Sequence, residues 1–352
     1  MKLDDFQAFK EIDRQDMLAS IDSLPDQLEN AWELGKRLPL GEISGVRQIV
    51  IAGMGGSAIG ADLLAAYCAS MVMVPVIVWR NYDLPAFASG EGTLVVASSH
   101  SGNTEETLSA FEAAWESGAQ VLAVTTGGEL ARRATDVGVP VWRFEHSGQP
   151  RAAVGFSFGL LLGMLTRLGL IPDPELEVEE TLQAMREQQA SITAEVPVVE
   201  NPAKRMAGQL MGRWPTILGA DFLAPVARRW RGQISELAKA VAQFEELPEA
   251  DHNMVAGVEK PEALFAQTML LFLQGEALHT RNELRVEITR QVLMLEGFNT
   301  DVIRAKGKSR LAQQWTALHF GDYTAYYLAM AYGVDPTPVN AIEEFKHRLS
   351  ES

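Results

Sequence analysis

Cysteine is nearly absent from this chain. Cys68 is the only one in 352 residues, so no intramolecular disulfide can form, and its alanine-rich surroundings mark it as inert core. No Cys/His cluster has metal-ligand spacing, so no metal is expected. Positive charge is also in short supply. Lys and Arg total 30 against 46 Asp and Glu, a net charge of −16. Such a surface repels polyphosphates and anionic lipid headgroups, so neither a nucleic-acid nor a membrane partner is expected. Long apolar runs are lacking too. The most apolar stretch, Ala152 to Thr166, is too short to span a bilayer, is bracketed by Arg151 and Arg167, and reads as a buried helix. No apolar segment follows Met1-Lys2-Leu3-Asp4-Asp5, so a secretory signal is not expected and the compartment is taken as cytoplasmic. Two nucleotide signatures are missing as well. No Gly-Lys-Ser/Thr follows the glycines, and Gly53-Met54-Gly55-Gly56-Ser57 lacks the full G-x-G-x-x-G spacing. No Ser-His-Asp arrangement can be read from sequence order.

What is present is an alternation of strand and helix. The composition, 47% apolar and 22% charged, is that of a soluble globular protein, and the length fits two domains. Residues 1–46 read as helices with polar faces. Strands are then expected at Ile49–Ala52, Val74–Trp79, Leu94–Ala97, Val121–Thr125 and Val139–Phe144, with helices starting near Ser57, Asn103 and Gly128. Asn103 with Glu106 is expected to cap the second of these. A long helix, Ala152–Leu170, closes the unit, and Pro172-Asp173-Pro174 marks a boundary. The expected domains are 1–172, a helical arm plus a first domain, and 173–352, a second domain with C-terminal helices. The second half repeats the scheme, with strands at 216–219, 242–246, 270–274 and 302–305 and helices at 222–241 and 282–295. The fold class is α/β, two doubly wound parallel sheets covered by helices on both faces.

Two small-residue segments stand at strand ends about one βαβ unit apart. They are Gly53-Met54-Gly55-Gly56-Ser57 and Ser99-His100-Ser101-Gly102-Asn103-Thr104. A strand, a small-residue turn and a helix start place N–H groups and hydroxyls around an anion. Gly55, Gly56, Ser57, Ser99, Ser101 and Thr104 are therefore candidate phosphate-binding residues. The corresponding turn of the second half, Gly275 to Arg281, lacks hydroxyls of this pattern, which implies one phosphate site per chain.

Other chemistry-bearing residues are less decisive by spacing alone. Arg229, Gln233 and Glu236 share one helix face, which an exposed salt-bridged helix explains equally well. His252 lies in a polar loop, where a histidine can exchange protons near neutral pH. Arg151 follows the fifth strand, at the sheet edge where ligands sit, although a salt bridge or cap is an alternative.

Together these segments resemble the bifunctional phosphoglucose/phosphomannose isomerases of the sugar isomerase (SIS) superfamily. The resemblance runs in order through Gly53–Ser57, Arg80-Asn81-Tyr82-Asp83-Leu84-Pro85, Ser99–Thr104, Pro150-Arg151-Ala152-Ala153, Arg229–Glu236, Asp251-His252-Asn253 and Gly333–Pro338. It implies two flavodoxin-like αβα SIS domains and an aldose–ketose isomerase of hexose 6-phosphates that works through a cis-enediol without metal or redox cofactor. It implies Glu236 as the base, its basicity raised by partial burial, Arg151 as stabiliser of the enediolate, and His252 and Lys346 as helpers in ring opening. Thr337 is implied as the small residue that admits either C2 epimer. A homodimer that shares its active sites is implied, with His252 acting across the interface. Two departures touch substrate preference: His100 stands where the family commonly has tyrosine, and Ser235 and Leu237 replace asparagines beside the glutamate. A non-catalytic sugar-phosphate sensor and an isomerase of another phosphosugar are the alternatives.

Overall fold

The computed structural model describes residues 3–351. Helices α1 (Phe6–Ile12), α2 (Met17–Asp22) and α3 (Leu24–Gly35) precede the first strand. Then come β1 (Gln48–Ala52), α4 (Gly55–Cys68), β2 (Val76–Trp79), β3 (Thr93–Ser98), α5 (Glu105–Glu116), β4 (Gln120–Thr125), α6 (Gly128–Asp136) and β5 (Val141–Arg143). A 3₁₀ turn, Pro150–Ala152, leads into α7 (Val154–Arg167), followed by α8 (Glu175–Gln189) and α9 (Pro202–Leu210). The second alternation is β6 (Trp214–Ala220), α10 (Ala224–Leu237), β7 (Gln243–Leu247), β8 (Thr268–Gln274), α11 (Thr280–Leu295) and β9 (Asn299–Arg304). Two helices finish the chain, α12 (Arg310–Tyr332) and α13 (Asn340–Ser350).

Two compact units result. One holds residues 23–186 and 307–315; the other holds the described residues up to Asp22 together with 187–306 and 316–351. The division expected at 172/173 falls inside the first unit. The reason is that α1 and α2 pack on the second unit, where Phe9 meets the rings of Tyr326 and Tyr327. The short helix α9 was not anticipated; helices were expected at the C-terminal end, where α12 runs for 23 residues.

The first unit is a five-stranded parallel sheet of order β2-β1-β3-β4-β5. Strand β3 is buried along its whole length, as parallel strands covered on both faces must be. Its core gathers Val50, Val95, Phe111, Val121 and Leu130. The apolar stretch becomes α7, buried from Val154 to Leu165. Its glycines explain why. A Cβ on Gly159 would lie 2.7 Å from the Cβ of Ala31, and one on Gly163 would lie 2.7 Å from the Cα of Gly35. Backbone-to-backbone packing against α3 leaves no room for larger residues. Cys68 is buried as expected, and burial pushes its thiol up to about 11.

The second unit repeats the order with one strand fewer, β7-β6-β8-β9, also all parallel. Among the described residues, no helix is long and apolar enough to cross a membrane.

Candidate active site

In the first sheet the strand order reverses direction between β1 and β3. Ligands of open α/β sheets sit outside the carboxyl ends of strands at such a point. Both small-residue segments lie there, directly after Ala52 and Ser98. They touch, since a Cβ on Gly53 would be 2.7 Å from the Ser98 carbonyl oxygen. Gly55 opens α4 with φ +51° and Gly102 turns the second loop with φ +69°, conformations that favour glycine. A side chain on Gly102 would also run into the Gly127 carbonyl.

The hydroxyls divide into two groups. Ser57 and Ser99 are buried and tie the loops together: Ser57 Oγ accepts from the His100 N–H at 3.3 Å, and Ser99 Oγ accepts from the Gly102 N–H at 3.1 Å. Ser101 is exposed and Thr104 half-buried, with Thr104 Oγ1 2.9 Å from Ser99 Oγ. Neither α4 nor α5 has a side-chain hydrogen bond at its N-cap. Both helices thus start without a side-chain cap at the carboxyl ends of the adjacent strands β1 and β3, where first-turn N–H groups and positive dipole ends favour an anion. The expected Asn103–Glu106 cap does not form. Thr104 is the N-cap, and the Asn103 carboxamide oxygen instead accepts from the Glu129 N–H at 3.0 Å, which joins the loop to α6.

Arg151 is buried in the 3₁₀ turn against the first turn of α4. A Cβ on Gly56 would lie 2.5 Å from the Pro150 oxygen and 3.2 Å from the Arg151 Cα, so glycine lets the turn lie flush on the helix. Ser157 Oγ adds a bond to the Gly56 oxygen at 3.0 Å. Gly55, Gly56, Ser57, Ser99, Ser101, Thr104 and Arg151 therefore belong to one locality of the first unit. His146 also belongs there, its Nδ1 2.9 Å from His100 Nε2. Nothing in the sequence pattern singled it out, because the pairing spans 46 residues.

The equivalent point of the second sheet lies between β6 and β8. Here the chain supplies its own anion. Asp221, at φ +51°, accepts from the His279 N–H at 2.9 Å and from Asn282 Nδ2 at 2.6 Å, at the start of α11.

The second unit also carries Glu236, near the carboxyl end of α10. The exposed-helix alternative is excluded: Arg229 and Gln233 are buried, and Arg229 makes a two-point ion pair with Asp322, Nε to Oδ1 3.1 Å and Nη2 to Oδ2 2.7 Å. Glu236 is half-buried. Lys239, at φ +55°, reaches back so that Nζ donates to the Glu236 carbonyl at 2.5 Å and to the Pro336 carbonyl at 3.3 Å. Glu236 and the segment of Thr337 are thus drawn together by a lysine that no sequence motif marks. Thr337 is buried, and its N–H donates to Asp335 Oδ1 at 2.9 Å.

His252 is exposed at the end of a 3₁₀ turn, Glu249–His252. Its neighbour Asp251 is held by α11, by Arg285 Nη1 at 2.7 Å and Thr289 Oγ1 at 2.6 Å. A groove of about 260 Å³ runs beside it, lined by Val255, Arg281, Leu284 and Ile288 among others. Lys346 is exposed on α13 with Ile342, Phe345 and Leu349. Among the described residues, no group of three or more His, Cys, Asp or Glu is arranged to hold a metal ion.

Residues 42–147 match the SIS domain, and residues 199–349 match the bacterial phospho-glucose isomerase C-terminal SIS domain. A bifunctional phosphoglucose/phosphomannose isomerase of Caldicellulosiruptor bescii is 39% identical over 339 residues, 95% of this chain and 99% of the relative. One from Aquifex aeolicus is 34% identical over 311 residues, 88% of this chain and 92% of the relative. The crystal structure of a glucose-6-phosphate isomerase like protein from Thermus thermophilus has the same fold, with a TM-score of 0.65 at 21% identity over 96% of this chain and 98% of that one.

Proposed function

The chain belongs to the bifunctional phosphoglucose/phosphomannose isomerase family, and on that premise we propose that it interconverts glucose 6-phosphate and mannose 6-phosphate with fructose 6-phosphate. The observation that carries the reading is the first switch point, where two uncapped helix starts, the Ser101 and Thr104 hydroxyls and buried Arg151 gather in a chain of net charge −16. Local donors of that kind hold a phosphate against an unfavourable overall field.

In this reading the 6-phosphate is remote from the reacting carbons, and its binding energy fixes C1 and C2 for reaction. Glu236 takes the C2 proton of the open-chain aldose. The C–H electron pair becomes the C1–C2 double bond of a cis-enediol as the aldehyde oxygen gains a proton. Return of a proton to C1, as the C2 hydroxyl gives up its proton, gives the ketose; return to either face of C2, as the C1 hydroxyl gives up its proton, gives glucose or mannose 6-phosphate. Arg151 stabilises the negative charge of the enediolate. His252, contributed across the subunit interface, and Lys346 on α13 move protons during ring opening, and Thr337 leaves space for both C2 configurations.

This assignment of His252 calls for a homodimer with composite sites. The second unit exposes Leu284, Ile288 and Leu295 on α11 and Ile342, Phe345 and Leu349 on α13, apolar surface of the kind buried between subunits. Mixing Glu236→Gln and His252→Ala chains should return roughly a quarter of wild-type activity, through heterodimers with one intact site of two. The deciding assay offers fructose 6-phosphate and measures both aldose products. Formation of both supports the reading. Phosphosugar binding without turnover would point to a sensor, and turnover of a different phosphosugar alone to another isomerase.

A further inference from the structure

We propose that His146 is a positioning residue of the phosphate cradle: through His100 it holds the Ser99–Thr104 loop against the segment that carries Arg151. The inference rests on reading that loop as the phosphate site.

His100 is where the loop is fastened. Its N–H donates to Ser57 Oγ at 3.3 Å. Its carbonyl accepts from the Thr126 N–H at 3.1 Å and from Thr126 Oγ1 at 2.8 Å. These bonds join the loop to α4 and to the end of β4. The side chain makes the remaining tie, Nε2 to His146 Nδ1 at 2.9 Å. His146 lies in the irregular stretch between β5 and the 3₁₀ turn, five positions before Arg151. The one contact therefore spans the two segments that supply the hydroxyls and the guanidinium.

The pair is enclosed by rings. The imidazoles meet edge to face, centroids 5.1 Å apart at 83°. His100 stands against Phe144, and His146 against Phe156, at 5.9 and 6.0 Å. Phe144 and Phe156 are themselves stacked at 4.9 Å. The cavity lined by Ser57, His100, Phe144 and Ser157 among others measures only about 10 Å³, so little open space adjoins the His100 ring. Burial lowers both imidazoles, and the neighbouring ring lowers His100 further, to about 4. Near neutral pH both are uncharged. One nitrogen of the contact carries the hydrogen and the other accepts it. The pair adds no charge beside the phosphate, so its contribution is geometric, and it appears in ground-state anion binding rather than in proton transfer.

The test uses three variants of the full chain and two readouts. His146→Phe keeps a ring in the box and removes the hydrogen bond. His146→Asn keeps a polar atom at the Nδ1 position and removes the rest of the ring. His146→Ala removes both, and thermal melting establishes that each variant folds. Calorimetric titration with inorganic phosphate, and KM and kcat with fructose 6-phosphate, are then compared. Loss of one positioned hydrogen bond should weaken phosphate binding in His146→Phe about tenfold, with a matching rise in KM and kcat within about twofold. His146→Asn should recover most of that loss, within about threefold of wild type. Phosphate affinity within twofold of wild type in both His146→Phe and His146→Ala would overturn the proposal, as would a kcat loss at unchanged KM. If His146→Phe does not fold, the comparison of His146→Ala with His146→Asn decides the same question. Wild-type protein that binds phosphate but turns over no hexose phosphate would defeat the isomerase reading alone. Wild-type protein that binds no phosphate would defeat the cradle and this inference with it.

Discussion

Asp251 and Arg285 form a 2.7 Å ion pair that fixes the turn immediately before His252. Thr289 closes the other carboxylate oxygen at 2.6 Å. The residue proposed to move protons is therefore exposed but placed on an anchored turn. Asp251→Ala should lower kcat for fructose 6-phosphate about tenfold, as misplacement of an acid–base group does. The melting temperature should change little, because the pair is partly exposed and such pairs contribute little to stability. Asp251→Asn, which can still accept from Thr289, should lie between. Unchanged turnover in Asp251→Ala would mean that this anchor does not serve His252.

The buried Arg229–Asp322 pair behaves differently. Both partners are almost fully buried, so removal of one leaves an uncompensated charge. Arg229→Ala and Asp322→Ala should each cost about 3–5 kcal/mol in urea unfolding. The double variant Arg229→Met, Asp322→Leu should lose clearly less than the sum of the two. Additive losses would show that the two side chains do not depend on each other.

The proposed phosphate loop depends on backbone shape as well as hydroxyls. Gly102 has φ +69° and no space for a side chain, so Gly102→Ala should abolish phosphate binding by distorting the turn. Ser101→Ala and Thr104→Ala remove hydrogen bonds to a charged group, each worth roughly 1.5–3 kcal/mol. Each should weaken phosphate binding about tenfold or more while the fold persists. Calorimetric titration checks all three, and full phosphate affinity in Gly102→Ala would contradict the geometry described for the loop.

How much of this was legible beforehand depended on range. The five strands of the first sheet and the turns after Ala52 and Ser98 were readable, because apolar runs and small-residue turns are local signals. Helices were expected at the C-terminal end, but the extent of the 23-residue α12 was not readable, since its buried face mixes Gln313, Gln314, His319 and Asp322 with apolar residues. The passage of α1 and α2 to the second unit was hidden because its contacts are long-range: Phe9 meets the ring of Tyr327, and Tyr323 bonds the Asp22 carboxylate 301 residues away. At the candidate site, glycines and hydroxyls were visible as motif residues. His146 and Lys239 were not, because each acts through a partner that only the fold brings near.

Acid should destabilise the protein through His319. The ring is fully buried beside Tyr323, and Nε2 donates to the Ile21 carbonyl at 2.9 Å. Burial lowers its pKa from 6.5 to about 4. The unfolded chain therefore takes up a proton that the folded chain refuses. Stability is fully present above pH 6.5 and falls as the pH drops toward 4, by as much as ~3 kcal/mol from this group. Urea midpoints from pH 7 to pH 4 should show a steeper fall for wild type than for His319→Gln, although that variant starts lower. Equal slopes would place the acid sensitivity elsewhere.

The central claim is that Glu236 carries the proton between C1 and C2 for both epimers. The direct measurement follows fructose 6-phosphate in deuterated water by nuclear magnetic resonance, for wild type and Glu236→Gln, with phosphosugar binding measured in parallel. Wild type should yield glucose and mannose 6-phosphates with solvent deuterium at C2. Glu236→Gln should bind the sugar phosphate nearly as well and lose both products together, by at least ~10²-fold. A Glu236→Gln protein that retains more than a tenth of wild-type turnover (a threshold well above the ~10²-fold loss), or that loses one epimer and keeps the other, would contradict the account.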